Sequence, residues 1–418
     1  MKFTSWGNYP KNLNSCYILS KDELPILNLP FLPYGKGRSY GDVCLTRHGC
    51  YILTSNKNFI LDLDPQNLLL RVEAGVTLKT ILELITKHNL FLPVVPGTQH
   101  VTVGGAIAND IHGKSHHLHG SFGNNVLSLK LTTSSGTKEL CENSQEFRAT
   151  IGGLGLTGLI QEAVIKLIRI PGTTISQINK VTLTVEETVS VLEELSSSYT
   201  YTVSWLDLLS QKFRAIVMGG NFTDSNTGYK KTEKPALSYP FFFKIINNVT
   251  LKILNEIYFL LNQRKHTEFL VDYKKFFFPL DIIDNWNRAY GIDGFIQWQS
   301  VLPKDAKLLK ECIGIIKKSE CVPCLCVLKD FGSIQPKGLL SFPQAGYTLA
   351  VDFPVSYDTF KLVEELNKFV ADAHGKIYLA KDALLKKKEF LKMYPEVNDF
   401  VKYKDRNFCS DLWRRLVE

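Results

Sequence analysis

The stretch Pro96-Gly-Thr-Gln-His-Val-Thr-Val-Gly-Gly-Ala106 holds three glycines within nine residues and opens the most glycine-rich part of the chain. Eleven of the 28 glycines fall between Gly97 and Gly158, where an even spread would give about four. Glycine allows turns with positive φ and lets a ligand approach the main chain closely. Thr102 followed by small residues also predicts a helix N-terminus whose N–H groups suit a pyrophosphate. The stretch therefore predicts a site for a flat, phosphate-bearing ligand.

Two further glycine motifs lie before and after this stretch. Gly35-Lys-Gly-Arg-Ser-Tyr-Gly-Asp42 can turn successive N–H groups toward one anion, while Arg38 supplies charge and Ser39 a hydrogen-bond donor. Gly153-Leu-Gly-Leu-Thr-Gly158 matches the GxGxxG pattern of dinucleotide-binding folds, but a strand pattern follows it where such a fold needs a helix. We interpret it as a turn beside a cofactor and exclude a nicotinamide-binding fold.

Four of the nine histidines fall between His112 and His119. Zinc binding is one alternative, but metal sites usually add carboxylates or regular helical spacing, and the nearby Asp110 sits in a glycine-flanked turn. Histidine and lysine beside a flat cofactor are better suited to moving protons or binding phosphate. We therefore predict that no metal is bound.

The order of predicted elements indicates an α+β protein. Residues 1–170 mix short strands and helices irregularly, including a helix from Thr77 to His88 and a strand from Phe91 to Val95. From Gly294 to Ala380 the order is strand, helix, strand, strand, helix, strand, which predicts a ferredoxin-like antiparallel sheet with helices on one face. The other face is left to cover a ligand. We expect domains at 1–170 and 171–375, and a C-terminal segment, 376–418, that returns to the first domain.

An insertion at about 221–278 is aromatic and basic. Between Lys230 and Lys275 there are nine positive and four negative residues, which supply +5 of the net charge of +8. Such a segment is typical of membrane surfaces. A helical insertion that packs on its own domain with a solvated lysine face explains the pattern equally well.

The composition limits where the protein can be located and which classes of partner it can bind. No apolar run reaches the roughly 18 residues that a spanning helix needs, and residues 1–14 lack the apolar core of a signal peptide. We therefore expect a cytoplasmic protein or one peripheral at a membrane. The basic net charge comes without the aromatic and basic signature of a nucleic-acid-binding module, so we expect no nucleic acid partner.

Together with Asp110-Ile-His-Gly-Lys114, Ser121-Phe-Gly-Asn124 and Tyr378-Leu-Ala-Lys-Asp382, the glycine motifs resemble the vanillyl-alcohol-oxidase type flavoproteins, and the likeness runs from Pro33 to Arg415. The resemblance implies a two-subdomain, PCMH-type FAD-binding domain with noncovalent FAD, followed by a substrate domain. Within the family it is similar to the branch that oxidises the 2′-hydroxyl of a polyprenylphosphoryl ribose. A separate NAD(P)H-dependent keto-sugar reductase would complete the epimerisation to arabinose.

The resemblance also implies site residues. The family's FAD contacts fall on Gly35, Lys36, Gly37, Arg38, Ser39, Tyr40, Gly41, Asp42, Gly97, Thr102, Val103, Gly104, Gly105, Asn109, Asp110, Ile111, His112, Ile160 and Tyr378. Its residues around the sugar and phosphate fall on Tyr40, His112, Lys114, Gln299, Lys329, Asp352 and Lys381. Alcohol oxidation needs a proton acceptor as the hydride leaves. Lys381 fits this role if burial among cations lowers its pKa, and His112 is the second candidate.

Three positions depart from the family pattern. Ala350, Phe277 and Thr348 stand where its members carry a pocket cysteine, tyrosine and asparagine. The exact sugar therefore stays open, and an FAD-dependent oxidase or dehydrogenase of a soluble sugar, alditol or aldonolactone is the alternative.

Overall fold

A computed structural model describes residues 3–21, 23–225, 246–263 and 267–418. Its strands are β1 (Tyr17–Leu19), β2 (Phe31–Tyr34), β3 (Cys50–Leu53), β4 (Ile60–Asp64), β5 (Leu69–Glu73), β6 (Leu90–Phe91), β7 (Val126–Thr133), β8 (Gly136–Cys141), β9 (Leu159–Lys166), β10 (Ile168–Arg169), β11 (Thr174–Thr182), β12 (Tyr201–Asp207), β13 (Arg214–Thr223), β14 (Phe269–Asp272), β15 (Phe295–Leu302), β16 (Cys326–Phe331), β17 (Gly346–Pro354) and β18 (Lys376–Ile377).

The α-helices are α1 (Leu78–Ile85), α2 (Val103–Ala108), α3 (His116–His119), α4 (Gln145–Thr150), α5 (Val185–Ser198), α6 (Asn248–Asn262), α7 (Tyr273–Phe277), α8 (Ala306–Lys318), α9 (Tyr357–Asp372), α10 (Lys387–Met393), α11 (Val397–Phe400) and α12 (Asp411–Leu416). Short 3-10 helices cover Asp42–Cys44, Thr86–His88, Phe122–Asn125, Pro279–Ile282 and Trp286–Tyr290. Among the described helices none is long and apolar enough to cross a membrane.

The first part of the chain forms two sheets, whose buried residues belong mostly to different apolar clusters. A five-stranded antiparallel sheet has the order β4-β5-β9-β7-β8, and a three-stranded parallel sheet has the order β1-β3-β2. Helix α1 begins as its sequence predicts, because the Thr77 side chain accepts a hydrogen bond from the Thr80 N–H at 3.2 Å. Its apolar residues at helical spacing are buried.

The strand prediction for Phe91 to Val95 is wrong for most of its length. Only Leu90 and Phe91 pair, in β6, with β10. Proline has no N–H to donate to a sheet, so Pro93 and Pro96 do not sustain a ladder after Phe91. This segment instead leads directly into the glycine-rich loop that begins at Gly97.

The second part of the chain forms one eight-stranded sheet in the order β14-β11-β13-β12-β16-β17-β15-β18. Strands β15 to β18, with α8 and α9, form the predicted strand-helix-strand-strand-helix-strand unit, with its first and third strands central. The α+β class and its ferredoxin-like sheet are therefore confirmed. The sequence analysis did not find a second unit of the same order, β11 to β14 with α5 and α6, which joins the first through β12 and β16.

The helices do not all cover one face of this sheet. Buried residues of α5, α8 and α9 share a core with Leu206 and Leu328. Helix α6 lies on the opposite face, because its Phe259 packs on Trp205 and Ile216. Neighbouring residues of a strand point to opposite faces, so Trp205 and Leu206 serve different layers. The expectation of helices on one face therefore holds for the predicted unit and fails for α6.

The insertion at 221–278 is described only in part. Its described residues form the end of β13, then α6, β14 and α7. The aromatic run Phe241–Phe243 and six of the nine basic residues lie outside the described residues; these six are Lys230, Lys231, Lys234, Lys244, Arg264 and Lys265.

The C-terminal residues are tied to the first part of the chain by a buried ion cluster. One Arg415 nitrogen lies 2.8 Å from an oxygen of Asp42 and 2.8 Å from an oxygen of Asp382. Both carboxylate side chains are at most 5% exposed, whereas Arg415 is 26% exposed. Arg415 thus joins the loop after Tyr40 to the segment that carries Lys381.

Replacing Arg415 tests this connection. In Arg415→Ala two nearly buried carboxylates lose their counter-ion, so we expect a loss of about 3 kcal/mol in the free energy of unfolding. Urea denaturation followed by circular dichroism measures it. The control Lys402→Ala removes an exposed pair with Asp399 and is expected to change nothing measurable. Equal stability of both variants would contradict the role of Arg415.

Candidate active site

A cleft lies between the glycine-rich loops and the face of the eight-stranded sheet that α8 and α9 leave free. In β15, Trp298 points toward α9 and donates to Asn367 Oδ1 at 3.0 Å. Gln297 and Gln299 therefore point the other way, and both line the cleft. The period of two along the strand thus separates the apolar core from a polar wall.

The pairing of β15, β16 and β17 shows which further residues lie on this wall. Ala350 lies opposite both Gln299 and Val327, and Asp352 lies opposite Gln297. Lys329 lies opposite Thr348 on the next row. Polar, cationic and small side chains are therefore grouped on three adjacent strands, β15, β16 and β17.

The opposite wall is formed by the glycine loops. Gly97 has open space where a Cβ atom would stand, with no heavy atom within 4 Å. Thr102 caps α2 by accepting from the Gly105 N–H at 3.2 Å, and both residues line the cleft. The Arg38 guanidinium lies 3.9 Å from the Trp6 ring centroid, and its buried Nε has no hydrogen-bond partner among the described residues. A flat ligand with an anionic group fits a wall with these properties.

The structure places most of the predicted FAD residues along this cleft and four behind it. The lining residues are Gly35, Lys36, Gly37, Arg38, Ser39, Tyr40, Gly97, Thr102, Gly104, Gly105, Asn109, Ile111, His112, Ile160 and Tyr378. The four that are not in the lining are Gly41, Asp42, Val103 and Asp110.

These four residues have neighbours that explain their positions. Asp42 pairs with Arg415, and Val103 is buried in the core under α2. A Cβ on Gly41 would stand 1.6 Å from the Asp382 carbonyl oxygen, so only glycine fits there. Asp110 accepts from the Gly123 N–H at 2.8 Å and from Ser341 Oγ at 2.5 Å. They support the loops, and the sequence motif alone did not separate them from the lining residues.

His112 is held in a neutral state by its surroundings. The Gln299 amide nitrogen lies 2.9 Å from His112 Nε2 and 2.8 Å from Thr348 Oγ1, so one amide spans both side chains. Burial lowers the pKa of His112 well below its usual value, and the charges of Lys329 and Lys381 add to the shift. His112 Nδ1 has no hydrogen-bond partner among the described residues. A neutral ring that accepts at Nε2 carries its proton on Nδ1, available to a ligand.

Three lysines that the sequence analysis assigned to the substrate have strongly lowered pKa values. Burial lowers the pKa of Lys381 to about 7, with the charge of Lys329 adding to the shift and the Asp352 carboxylate opposing it. Burial also lowers the pKa of Lys329 to about 8 and, together with the charge of Lys329, that of Lys114 to about 7. Lys329 and Lys381 line the cleft, and the Lys381 ammonium lies 5.3 Å from the ring centroid of Tyr40.

Lys114 and Asp352 are not among the lining residues. Lys114 Nζ donates to the Phe277 carbonyl oxygen at 3.2 Å and lies 5.6 Å from the ring centroid of the same residue. Asp352 is fully buried and accepts from Gln297 Nε2 at 2.5 Å and from Tyr290 OH at 3.3 Å. Burial raises the pKa of Asp352 to about 6. This carboxylate therefore acts on the cleft through Gln297 and through its field at Lys381.

The other histidines of the cluster do not converge on a metal site. His116 packs against the Phe331 ring at a centroid distance of 4.2 Å, and His117 Nε2 lies 3.1 Å from the Tyr199 carbonyl oxygen. Within the described ranges no group of three His, Cys, Asp or Glu residues is placed to hold a metal ion.

The lining residues that the sequence analysis did not assign to the site include Trp6, Trp286 and Gln297. A signal existed for Gln297, because it is two residues from Gln299 on one strand and so shares its face. Trp6 has no comparable signal, because it reaches the cleft through a long-range contact of the N-terminal segment, whose Trp6 N–H donates to the Ser39 carbonyl oxygen at 2.7 Å.

The residues of the cleft fit FAD on the observations above. Buried polar atoms without a protein partner among the described residues line it, namely Arg38 Nε, Asn109 Oδ1, His112 Nδ1 and Gln299 Oε1. Its lining carries Lys36, Arg38, Lys329 and Lys381 and, in the described part of the chain, no Asp or Glu. A dianionic pyrophosphate and a flat ring with polar edges meet these requirements.

Comparison with known proteins agrees with this chemistry. Residues 25–142 match the family described as FAD binding domain. The chain is 34% identical over 406 residues to decaprenylphosphoryl-β-D-ribose oxidase of Mycolicibacterium smegmatis, covering 91% of this chain and 88% of that protein. The chain belongs to this family of FAD-binding oxidoreductases. The predicted FAD cofactor and FAD-dependent oxidoreductase activity are thereby confirmed.

Two further relatives, both oxidases, match only about a third of the chain. A glycolate oxidase subunit of Bacillus subtilis is 27% identical over 35% of this chain and 33% of its own length. The L-gulonolactone oxidase of Bos taurus is 30% identical over 32% of this chain and 31% of its own length. The likeness to the ribose oxidase family, by contrast, includes the sheet that forms the polar wall.

Gly97→Leu tests the placement of FAD against the glycine wall. The new side chain meets open space in the protein, so we expect normal thermal stability but little bound flavin, because the side chain occupies the ligand's space. The ratio of flavin to protein absorbance after purification measures this. The control Gly314→Leu adds the same side chain at an equally open position in α8. Full flavin occupancy in Gly97→Leu would contradict the assignment.

Proposed function

We propose that this enzyme oxidises the 2′-hydroxyl of a polyprenylphosphoryl ribose to a 2′-keto sugar, the first half of a ribose-to-arabinose epimerisation. The observation that carries the proposal is the concentration of Lys329, Lys381 and the nearby Lys114 at the sheet end of the cleft. Basic residues beyond those near the cofactor loops suit a second anion, such as the phosphodiester of a lipid-linked sugar.

The catalytic base is assigned to Lys381. Bound FAD supplies a hydride acceptor at its N5 atom for the carbinol carbon of the substrate. The hydroxyl proton must leave as the carbonyl forms, and a neutral amine accepts it. A lysine with a pKa of about 7 is substantially neutral at physiological pH, whereas an ordinary lysine is not. His112, the second candidate, is held by Gln299 and is better placed to orient the sugar through Nδ1.

The phosphodiester is assigned to Lys329, with Lys114 behind it. The lowered pKa values of both lysines reflect the cost of burying positive charge, so an anion bound there would raise them again. Binding energy at the phosphate, remote from the reacting carbon, holds the hydroxyl beside Lys381. Asp352 limits the fall in the Lys381 pKa and thereby keeps it near neutrality.

The residues that depart from the family pattern leave these roles intact. Thr348 Oγ1 accepts a hydrogen bond from the Gln299 amide, and Ala350 lines the cleft without a polar group. Phe277 contacts Lys114 through its carbonyl oxygen and its ring. These positions influence which pentose fits. Oxidation of a soluble sugar, alditol or aldonolactone is not favoured, because relatives named for lactone oxidation match only about a third of the chain.

The keto product requires a second enzyme. Its carbonyl must be reduced from the opposite face to give the arabinose configuration, and a separate NAD(P)H-dependent keto-sugar reductase is the partner that we propose. In this chain the stretch from Gly153 to Gly158 runs into strand β9 and not into a helix, so this motif does not supply a nicotinamide site for the reduction.

Lys381→Ala tests the catalytic base. We expect unchanged FAD content and a 10²- to 10⁴-fold slower reduction of the flavin by a synthetic prenylphosphoryl ribose, the usual range for loss of a general base. Anaerobic stopped-flow absorbance measures the rate. The control Lys388→Ala removes an exposed lysine seven residues away and should react as the wild type does. Unchanged reduction in Lys381→Ala would remove Lys381 from this role.

The pH dependence of the same step tests the electrostatics. Because the neutral amine is the active form, the rate should rise with pH through about 7 in the wild type. The Asp352 carboxylate raises the pKa of Lys381, so Asp352→Asn should move the midpoint to lower pH, while Lys329→Met should move it to higher pH. Shifts in the opposite directions would contradict the account.

A further inference from the structure

Helix α6 turns an aliphatic face outward. Six of its side chains are between 46% and 67% exposed, namely Val249, Ile253, Leu254, Ile257, Leu260 and Leu261. At 3.6 residues per turn they share one side of the helix, with Thr250 between them. Isolated apolar residues at a surface need no explanation, but a contiguous apolar face of this size marks an interaction surface.

The inner side of α6 is fixed to the walls of the cleft. Leu251 shares an apolar cluster with Trp6, Tyr40 and Trp286, and all three of these aromatic residues line the cleft. At the other end Phe259 packs on Trp205 of the sheet. The outward aliphatic face therefore lies on a helix whose inner face supports the site.

Polar contacts on the remaining side fix the rotation of α6. Asn255 Nδ2 donates to Asp207 Oδ1 at 2.8 Å, and Arg214 bonds to Glu256 at 2.7 Å. The Arg214 guanidinium also lies 4.4 Å from the ring centroid of Phe259. These contacts fix the orientation of the helix about its axis, so its aliphatic face points away from the protein.

A second exposed apolar position adjoins the cleft. Ile282 and Ile283 are 48% and 41% exposed, and they stand in the chain between Leu280 and Trp286, both of which line the cleft. Trp286 belongs to the same cluster as Leu251 of α6. Exposed aliphatic groups are thus found on two segments whose inner residues meet.

The shape and composition of this face favour a lipid surface over a second copy of the chain. A helix of 15 residues is roughly 22 Å long and 10 Å wide, well short of the roughly 800 Å² per partner that a stable protein interface buries. The six residues are all aliphatic, whereas protein hot spots are rich in Trp, Tyr and Arg. A helix that lies in a bilayer interface needs only an apolar face and a polar one, here with Lys252 and Glu256.

We propose that the aliphatic face of α6 lies in the interfacial region of a phospholipid bilayer and brings the mouth of the cleft to the lipid-linked substrate. The inference rests on the proposed function, because a polyprenyl chain keeps its sugar at a membrane surface. It goes beyond the proposed function by naming α6 as the helix that contacts the membrane.

The test compares vesicle binding of the holoenzyme with that of the double variant Ile253→Asp/Ile257→Asp. We expect wild-type enzyme to sediment with vesicles of phosphatidylcholine and phosphatidylglycerol, and the variant to partition at least about tenfold less, because two carboxylates stand at the centre of the face. The matched control Leu13→Asp/Ile26→Asp adds the same charges at positions 91% and 99% exposed, and should bind as the wild type does. Flavin absorbance and thermal unfolding report folding of each variant.

Turnover separates this inference from the proposed function. The α6 variant should reduce its flavin normally with a short-chain, water-soluble prenylphosphoryl ribose and slowly with a long-chain one held in vesicles. Vesicle binding equal to wild type in the α6 variant would overturn the inference, as would a wild-type enzyme that dimerises through α6 and ignores vesicles. Vesicle binding through α6 without flavin reduction by either substrate would overturn the proposed function and leave the lipid contact standing.

Discussion

The active site depends on holding several positive charges in a cleft whose described lining offers no carboxylate. Burial lowers the pKa values of Lys114, Lys329, Lys381 and His112, and the charge of Lys329 adds to the shift at the other three. Anionic ligands relieve the cost of burying these charges. In the function proposed here, these charges favour the binding of phosphates, and the lowered pKa of Lys381 leaves a neutral amine that can accept a proton.

The fold creates this arrangement through the alternation of the eight-stranded sheet. One face is apolar and packs against α5, α8 and α9, and the other carries Gln297, Gln299, Lys329 and Asp352. The glycine loops form the facing wall because they can bring main chain close to a flat ring. Arg415 connects the two walls by pairing with Asp42 on one side and Asp382 on the other, next to Lys381. This ion cluster therefore helps to hold the loop that ends at Asp42 next to the segment that carries Lys381.

Local patterns predicted much of this organisation, and long-range packing accounts for the rest. The order of predicted strands and helices indicated the ferredoxin-like unit from β15 to β18, and glycine density indicated the cofactor wall. The second unit from β11 to β14 was missed because residues 224–247 separate β13 from α6 and because α6 and β14 were assigned to an insertion. Motifs also grouped Asp42 and Asp110 with true lining residues, since a sequence motif does not separate residues that face a ligand from residues that support the loop. Trp6 enters the site only through a contact that no local pattern encodes.

The most direct measurement is an anaerobic titration of the holoenzyme with a prenylphosphoryl ribose and with a neutral prenyl riboside of the same chain length, followed at the flavin absorbance. If the cationic cleft selects a phosphodiester-linked sugar, one equivalent of the phosphodiester reduces one flavin while the neutral riboside leaves the flavin oxidised at the same concentration. Equal reduction by both compounds, or reduction by neither, would contradict the account.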